Sequence, residues 1–204
     1  MHARIAMLVK AENKEEAKEY IDSFLEEYRD DVFDWYQIGG RWTNALAPSG
    51  LLEKFFKEVE KNLTKSFSGG YYSNEIKEKQ ILLQGIWEEL GLKGKNCYTD
   101  HYKLPEDGGY YDILKLSECV DVVKTWVIDL DKEKNEMWDK LIKAKEEYEA
   151  GGYDKTQYIA RQYSEINSYD FCFKSNVFDI SRQIGETIPD NIDEYFVVLV
   201  DLHS

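Results

Sequence analysis

Apolar and polar positions alternate along this chain with periods that change every ten to twenty residues, and each period predicts an element. Residues 3–9, ARIAMLV, form an unbroken apolar run and read as a buried strand. Asn13 then stands as a helix N-cap with Glu16 at the capping-box position, and Ala17, Tyr20, Ile21, Phe24, Leu25 and Tyr28 follow at helical spacing. The aromatic-rich VFDWYQI alternates and predicts a second strand running into Gly39-Gly40. Ser49 is placed to cap a helix carrying Leu51, Leu52, Phe55, Phe56, Val59 and Leu63. Asn74 is placed to cap another, with Ile76, Ile81, Leu82, Leu83, Ile86, Trp87 and Leu90 inside and Gly91 as its stop.

Residues 93–109 read as a polar loop. The following YDILKLSECVDVVKTWVIDL is ambiguous at its front and strand-like over 122–130. Asp131 opens a long helix with Met137, Trp138, Leu141, Ile142 and Tyr148, closed by Gly151-Gly152. A further helix is expected over 156–166, a strand within DFCFKSNVFDI, and a central strand in the terminal EYFVVLVDLHS. Strands at both ends with helices between predict an α+β fold in one domain. Its core is a ferredoxin-like antiparallel sheet with the terminal strands adjacent and a mainly helical insertion at about 45–120. GGYY at Gly69 and Gly108, echoed by GGYD at Gly151, fits helix stops and turns with a packing tyrosine, and no fixed period supports a repeat array.

Composition narrows the class. With 204 residues, 43% hydrophobic and 14% aromatic, the chain can bury a sizeable core. No apolar run approaches the roughly 20 residues that span a bilayer, and a signal peptide's charged and apolar regions are missing, so a cytoplasmic protein without a membrane partner is expected. Cys97, Cys119 and Cys172 form no CxxC pair and no Cys/His ligand set, so idle or buried thiols are expected and no metal or cofactor. In that compartment the NLT sequon at Asn62 carries no sugar. A net charge of −14 opposes binding to duplex nucleic acid or anionic lipid. It leaves room for a small anion in a locally positive pocket. Oligomeric state stays open, a homo-oligomer included.

The candidate chemistry sits in FDWYQIGGRW. Gly39 and Gly40 can take positive φ and turn their amides toward an anion. Arg41 offers a planar fork of donors suited to phosphate or carboxylate, and Trp35, Tyr36 and Trp42 offer faces for a base or for the guanidinium. The competing account is a hairpin whose Arg41 pairs with Asp34 while the rings fill the core. At the other end, Asp201 and His203 stand two apart on a strand and so share a face. If that strand neighbours DWYQI, Asp201, His203 and Arg41 converge; the alternative is a buried Asp–Arg pair holding the terminus. DLDKEKNEMW at Asp129 starts like a calcium loop but lacks the glycine at its sixth position, and NCYTDH, with Cys97 and His101, reads as a solvated loop.

DWYQIGGRW, with the N-terminal strand and a last strand ending Asp-x-His, resembles a group of small phage and bacterial proteins that share D-[WY]-Y-x-[IV]-G-G-R-W. The match covers about twenty residues, at 3–9, 33–42 and 196–203, and Ser204 stands where the group has an apolar residue. The resemblance implies a phage or prophage context and no particular chemistry. The expected function is a non-catalytic binding protein that sequesters a small anionic, nucleotide-like ligand, as anti-defence sponges do, through Asp34, Trp35, Tyr36, Gly39, Gly40, Arg41, Trp42, Asp201 and His203. The alternatives are an enzyme cleaving such a ligand, with His203 as general acid or base, and an acidic inhibitor that mimics nucleic acid.

Overall fold

The computed structural model describes residues 2–29, 33–63, 73–95, 109–127, 129–151, 156–157, 159–160, 176–185 and 188–203. Six strands form one sheet: β1 (His2–Lys10), β2 (Trp35–Ile38), β3 (Ile113–Lys115), β4 (Val177–Asp179), β5 (Ile184–Gly185) and β6 (Tyr195–His203). Five α-helices are described: α1 (Lys14–Glu26), α2 (Leu51–Leu63), α3 (Ser73–Glu89), α4 (Leu116–Lys124) and α5 (Leu130–Glu149). None is long and apolar enough to cross a membrane.

The strand order is β2-β6-β1-β4-β5, with β3 also on β6. β1 and β6 pair antiparallel over their whole length, from His2 opposite His203 to Lys10 opposite Tyr195, so the N- and C-terminal strands are adjacent. As in a ferredoxin-like core, β1 has one antiparallel neighbour, β6, and one parallel neighbour, β4. The sheet continues past β6, whose far edge takes β2 at one end and β3 at the other. Where those two meet, Leu199 N donates to Asp112 O and Leu199 O accepts from Gly39 N, both at 2.8 Å. Both polar backbone groups of the buried Leu199 are thereby paired, as burial demands.

Side chains of β1 and β6 alternate between two cores. Ile5, Met7, Val9, Phe196, Val198, Val200 and Leu202 face α1, whose Ala17, Ile21 and Leu25 are fully buried. Ala6, Leu8, Val197 and Leu199 face the other way, onto Phe55 of α2, Trp87 of α3, and Leu116 and Val123 of α4. Asn13 caps α1 as its sequence predicts, its Oδ1 accepting from Glu16 N at 2.9 Å, while the Glu16 carboxylate reaches back to Glu12 N. α3 stops at Gly91, whose φ of +74° lets its amide reach Glu88 O while Leu92 N reaches Trp87 O.

Several local expectations change. The described residues of 122–130 are not strand, and 122–124 belong to α4: Leu116, Cys119 and Val123 recur at helical spacing and are buried, with Glu118 accepting from the Lys115 amide at 3.1 Å. A valine-rich segment this short carries either period, and packing against β3 and β6 selects the helix. α2 begins after Gly50, not at a Ser49 cap, and Asn74 lies within α3. α5 is capped by Asp129, which accepts from Lys132 N at 3.0 Å, rather than by Asp131. Ile81 is 72% exposed, because the buried stripe of α3 runs through Leu83, Ile86 and Trp87 and leaves it on the far side. Trp138, Ile142 and Tyr148 are likewise exposed on α5.

The described residues between β2 and β3 include α2 and α3, while Ile113–Lys115, within the expected insertion at about 45–120, joins the sheet. Gly69, Gly108, Cys97, His101, Cys172 and residues 161–166 lie outside the described residues, as do most of the loop at 93–109 and the front of DFCFKSNVFDI. Cys119 is buried, and its desolvated thiol is pushed up to about 12.

Trp87 is fully buried, stands edge-on to Phe55 and Tyr111, and donates its indole N–H to Lys93 O at 3.1 Å. Trp87→Ala should lower unfolding free energy by about 3–5 kcal/mol in urea titrations. Ile81→Ala on the same helix should stay within about 0.5 kcal/mol.

Candidate functional site

Toward one end of the sheet, the face that α2 and α4 cover elsewhere turns polar. Register alone brings the residues together: His2 opposes His203, Arg4 opposes Asp201, Trp35 opposes His203 and Gln37 opposes Asp201, so all six share that face. His203 Nδ1 lies 2.7 and 2.9 Å from the two oxygens of Asp34, and the imidazole holds that carboxyl below the usual carboxylate range. The His203 ring stacks on Trp35 at 5.0 Å and 8°. His2 packs edge-on to both, 5.3 Å from Trp35 and 4.8 Å from His203, with its Nδ1 2.9 Å from Asp201 Oδ1. Both imidazoles are thus held through Nδ1, which leaves each Nε2 for other partners.

Asp201 is 1% exposed, and its second oxygen accepts from the Arg41 amide at 3.0 Å. That bond explains the double glycine. Gly39 and Gly40 have φ of +71° and +50°, and Gly40–Trp42 form one turn of 3-10 helix that aims the Arg41 amide inward. A Cβ on Gly40 would lie 2.5 Å from that of Asp201, and one on Gly39 would collide with the Asp112 carboxylate. The turn does bind an anion, but the anion is a side chain of the protein itself.

Asp112 is a second internal carboxylate, fully buried. It accepts from Asn44 N and Thr43 Oγ1, each at 2.6 Å, and from Gly109 N. Burial pushes its carboxyl up, and the three donors pull the other way. Asn44, itself at φ +65°, supplies that amide from a left-handed conformation.

The residues singled out in the sequence therefore separate. Asp34, Trp35, Asp201 and His203 meet in one cluster. Gly39 and Gly40 shape the turn that receives Asp201. Tyr36 points to the α1 side, where its hydroxyl donates to Asp22 at 3.0 Å in a groove of about 400 Å³ that Lys18, Glu26 and Arg29 also line. Desolvation raises the Tyr36 phenol well above its ordinary value. Arg41 meets Asp201 through its backbone, while its side chain is exposed. Trp42 faces a different cation, Arg4, whose guanidinium carbon is 5.7 Å from the Trp42 ring and 3.9 Å from that of Trp126.

His2, Arg4, Asp112 and Trp126 were not singled out. The available signal for the first two was the antiparallel pairing of the terminal strands: it places His2 and Arg4 beside the Asp-x-His that the sequence does mark. The chain has no match among protein-family models, curated proteins or solved structures. The site is therefore read from its own geometry.

Gly50 also has positive φ, +79°, but open space around its Cα. Gly50→Ala should cost only the conformational term of about 1–2 kcal/mol. Gly39→Ala and Gly40→Ala should each add about 1–3 kcal/mol because a buried carboxylate must move. Equal losses at the three positions in denaturant titration would mean that the carboxylates can retreat freely. Arg41→Ala should change stability by less than about 0.5 kcal/mol, since the exposed guanidinium has no ion pair or hydrogen bond among the described residues; unfolding of that variant would restore the buried ion pair as the role of Arg41.

Proposed function

We propose that this protein binds a small anionic, nucleotide-like ligand at the polar end of the sheet and holds it without converting it. The observation that carries this reading is the His203–Trp35 stack. A tryptophan 37% exposed presents a ring beside two imidazoles whose Nδ1 atoms are already engaged. A base can stack on such a ring, and an imidazolium whose Nδ1–H already serves a carboxylate can donate its Nε2–H to a phosphate oxygen. The net charge of −14 keeps long polyanions away while the histidines and Arg4 make this spot locally receptive. The resemblance of DWYQIGGRW to phage and bacterial proteins implies a phage or prophage context, and sequestering a host signalling nucleotide is an analogy drawn from that context.

A second reading has one observation in its favour. Two carboxylate-held imidazoles 4.8 Å apart are the parts of a general acid–base pair, and that pair would cleave a phosphoester rather than store it. Against it, no nucleophile stands with the two rings among the described residues.

A thermal-shift screen of the purified chain against cyclic and linear nucleotides, followed by denaturation and mass spectrometry, separates the two. Sequestration returns the ligand intact. His203→Gln should weaken binding by about 1–3 kcal/mol, the worth of one lost hydrogen bond to a charged group, with no product from either form. Product formed by the wild type and lost in His203→Gln would replace storage with catalysis. Failure of every nucleotide to shift the melting temperature would remove the nucleotide-like ligand itself.

A further inference from the structure

Two nitrogens at the polar end of the sheet are buried without a hydrogen-bond partner: Nε of Arg4 and Nε1 of Trp42. Both belong to groups that can only donate. They lie near one another, since the Arg4 guanidinium sits over the Trp42 ring while stacking at 3.9 Å on Trp126. Among the described residues no carboxylate pairs with Arg4. Its cross-strand partner, Asp201, is the obvious candidate, but that carboxylate spends one oxygen on His2 and the other on the Arg41 amide. Burial accordingly lowers the pKa of Arg4, as expected for a cation without a counter-ion. Buried donors are nearly always satisfied, so donors gathered around an unpaired charge mark the place of a missing acceptor.

We infer that Arg4 and Trp42 form an oxyanion slot, walled by Trp126, that receives a phosphate group of the ligand. This rests on the reading of the site as one for a nucleotide-like anion, and it fixes which end of the ligand goes where. His2 and Arg4 share a face two residues apart on β1, about 7 Å along the strand. A phosphate held at Arg4 therefore leaves the rest of a nucleotide within reach of the Trp35–His203 stack. The guanidinium fork meets two phosphate oxygens at once, which an ammonium cannot do. Trp42 adds one N–H from the side. Arg41, one residue away in sequence from Trp42, is not the cation of this slot.

The test is a titration of the ¹⁵N-labelled chain with inorganic phosphate and pyrophosphate, following the indole N–H peaks, with Trp42 assigned by Trp42→Phe. The Trp42 peak should move saturably. Arg4→Met, which keeps the apolar stem, should weaken that response at least tenfold. Arg4→Lys should recover little of it, and serves as the second variant if Arg4→Met fails to fold. A Trp42 peak unmoved by either anion means that water fills the slot, and overturns the assignment; so does full binding by Arg4→Met, or loss in Arg41→Ala with retention in Arg4→Met. The two levels separate cleanly. If phosphate moves Trp42 but no nucleotide binds better than phosphate, the slot stands and the nucleotide reading falls. If a nucleotide binds with Trp42 unmoved and Arg4→Met unimpaired, the nucleotide reading stands and the slot falls.

Discussion

Strand β6 is buried at eight of its nine positions, so every amide and carbonyl along it needs a partner inside the protein. One long strand, β1, satisfies one edge. The other edge is shared by β2 and β3, two short strands separated in sequence by the helical region. Most of the architecture follows from that shared edge. The turn after β2 must leave β6 just where β3 arrives, and Gly39, Gly40 and Asn44, all at positive φ, let the chain do so in the space available. The buried carboxylates of Asp201 and Asp112 then accept from the Arg41 and Asn44 amides of the departing turn and from the Gly109 amide ahead of the arriving strand.

That arrangement reassigns what a Gly-Gly-Arg among aromatic rings is for. Its inward amide is real, but a carboxylate of β6 already occupies it. Among the described residues, the buried cationic group without a hydrogen-bond partner is Arg4 on β1, beside Trp42 and Trp126. Under the proposed reading, structural anion binding and ligand recognition use neighbouring groups on the same face and divide the donors between them. The division also accounts for an acidic chain tolerating carboxylates at such a spot: Asp201 and Asp34 are committed to His2, Arg41 N and His203.

Much of the fold was legible because its signals are local. The Asn13 cap, the Gly91 stop, the apolar run of β1 and the β-branched β6 each declare themselves within a few residues. The segment at 116–124 was not legible past its ambiguous front, because a nine-residue piece with three valines fits either period until a surface is supplied. The site was half legible. Asp-x-His on a strand and an Asp-Trp before a turn gave four members of the cluster. His2 and Arg4 stayed hidden because their significance lies in pairing across nearly the whole chain, with His203 and Asp201. Arg41 drew attention for the opposite reason: nearness in sequence to three rings says little about which cation those rings meet in space.

At Leu199, a single residue makes two backbone hydrogen bonds to different segments, its amide donating to Asp112 beside β3 and its carbonyl accepting from Gly39 beside β2. In mechanical terms this residue is a splice. The segment bearing Trp35 is joined there to the segment that leads into α4, without a covalent link between them nearby. A strain applied on the helical side has a short, hydrogen-bonded route to the turn that positions Asp201, and through Asp201 to the ring of His2.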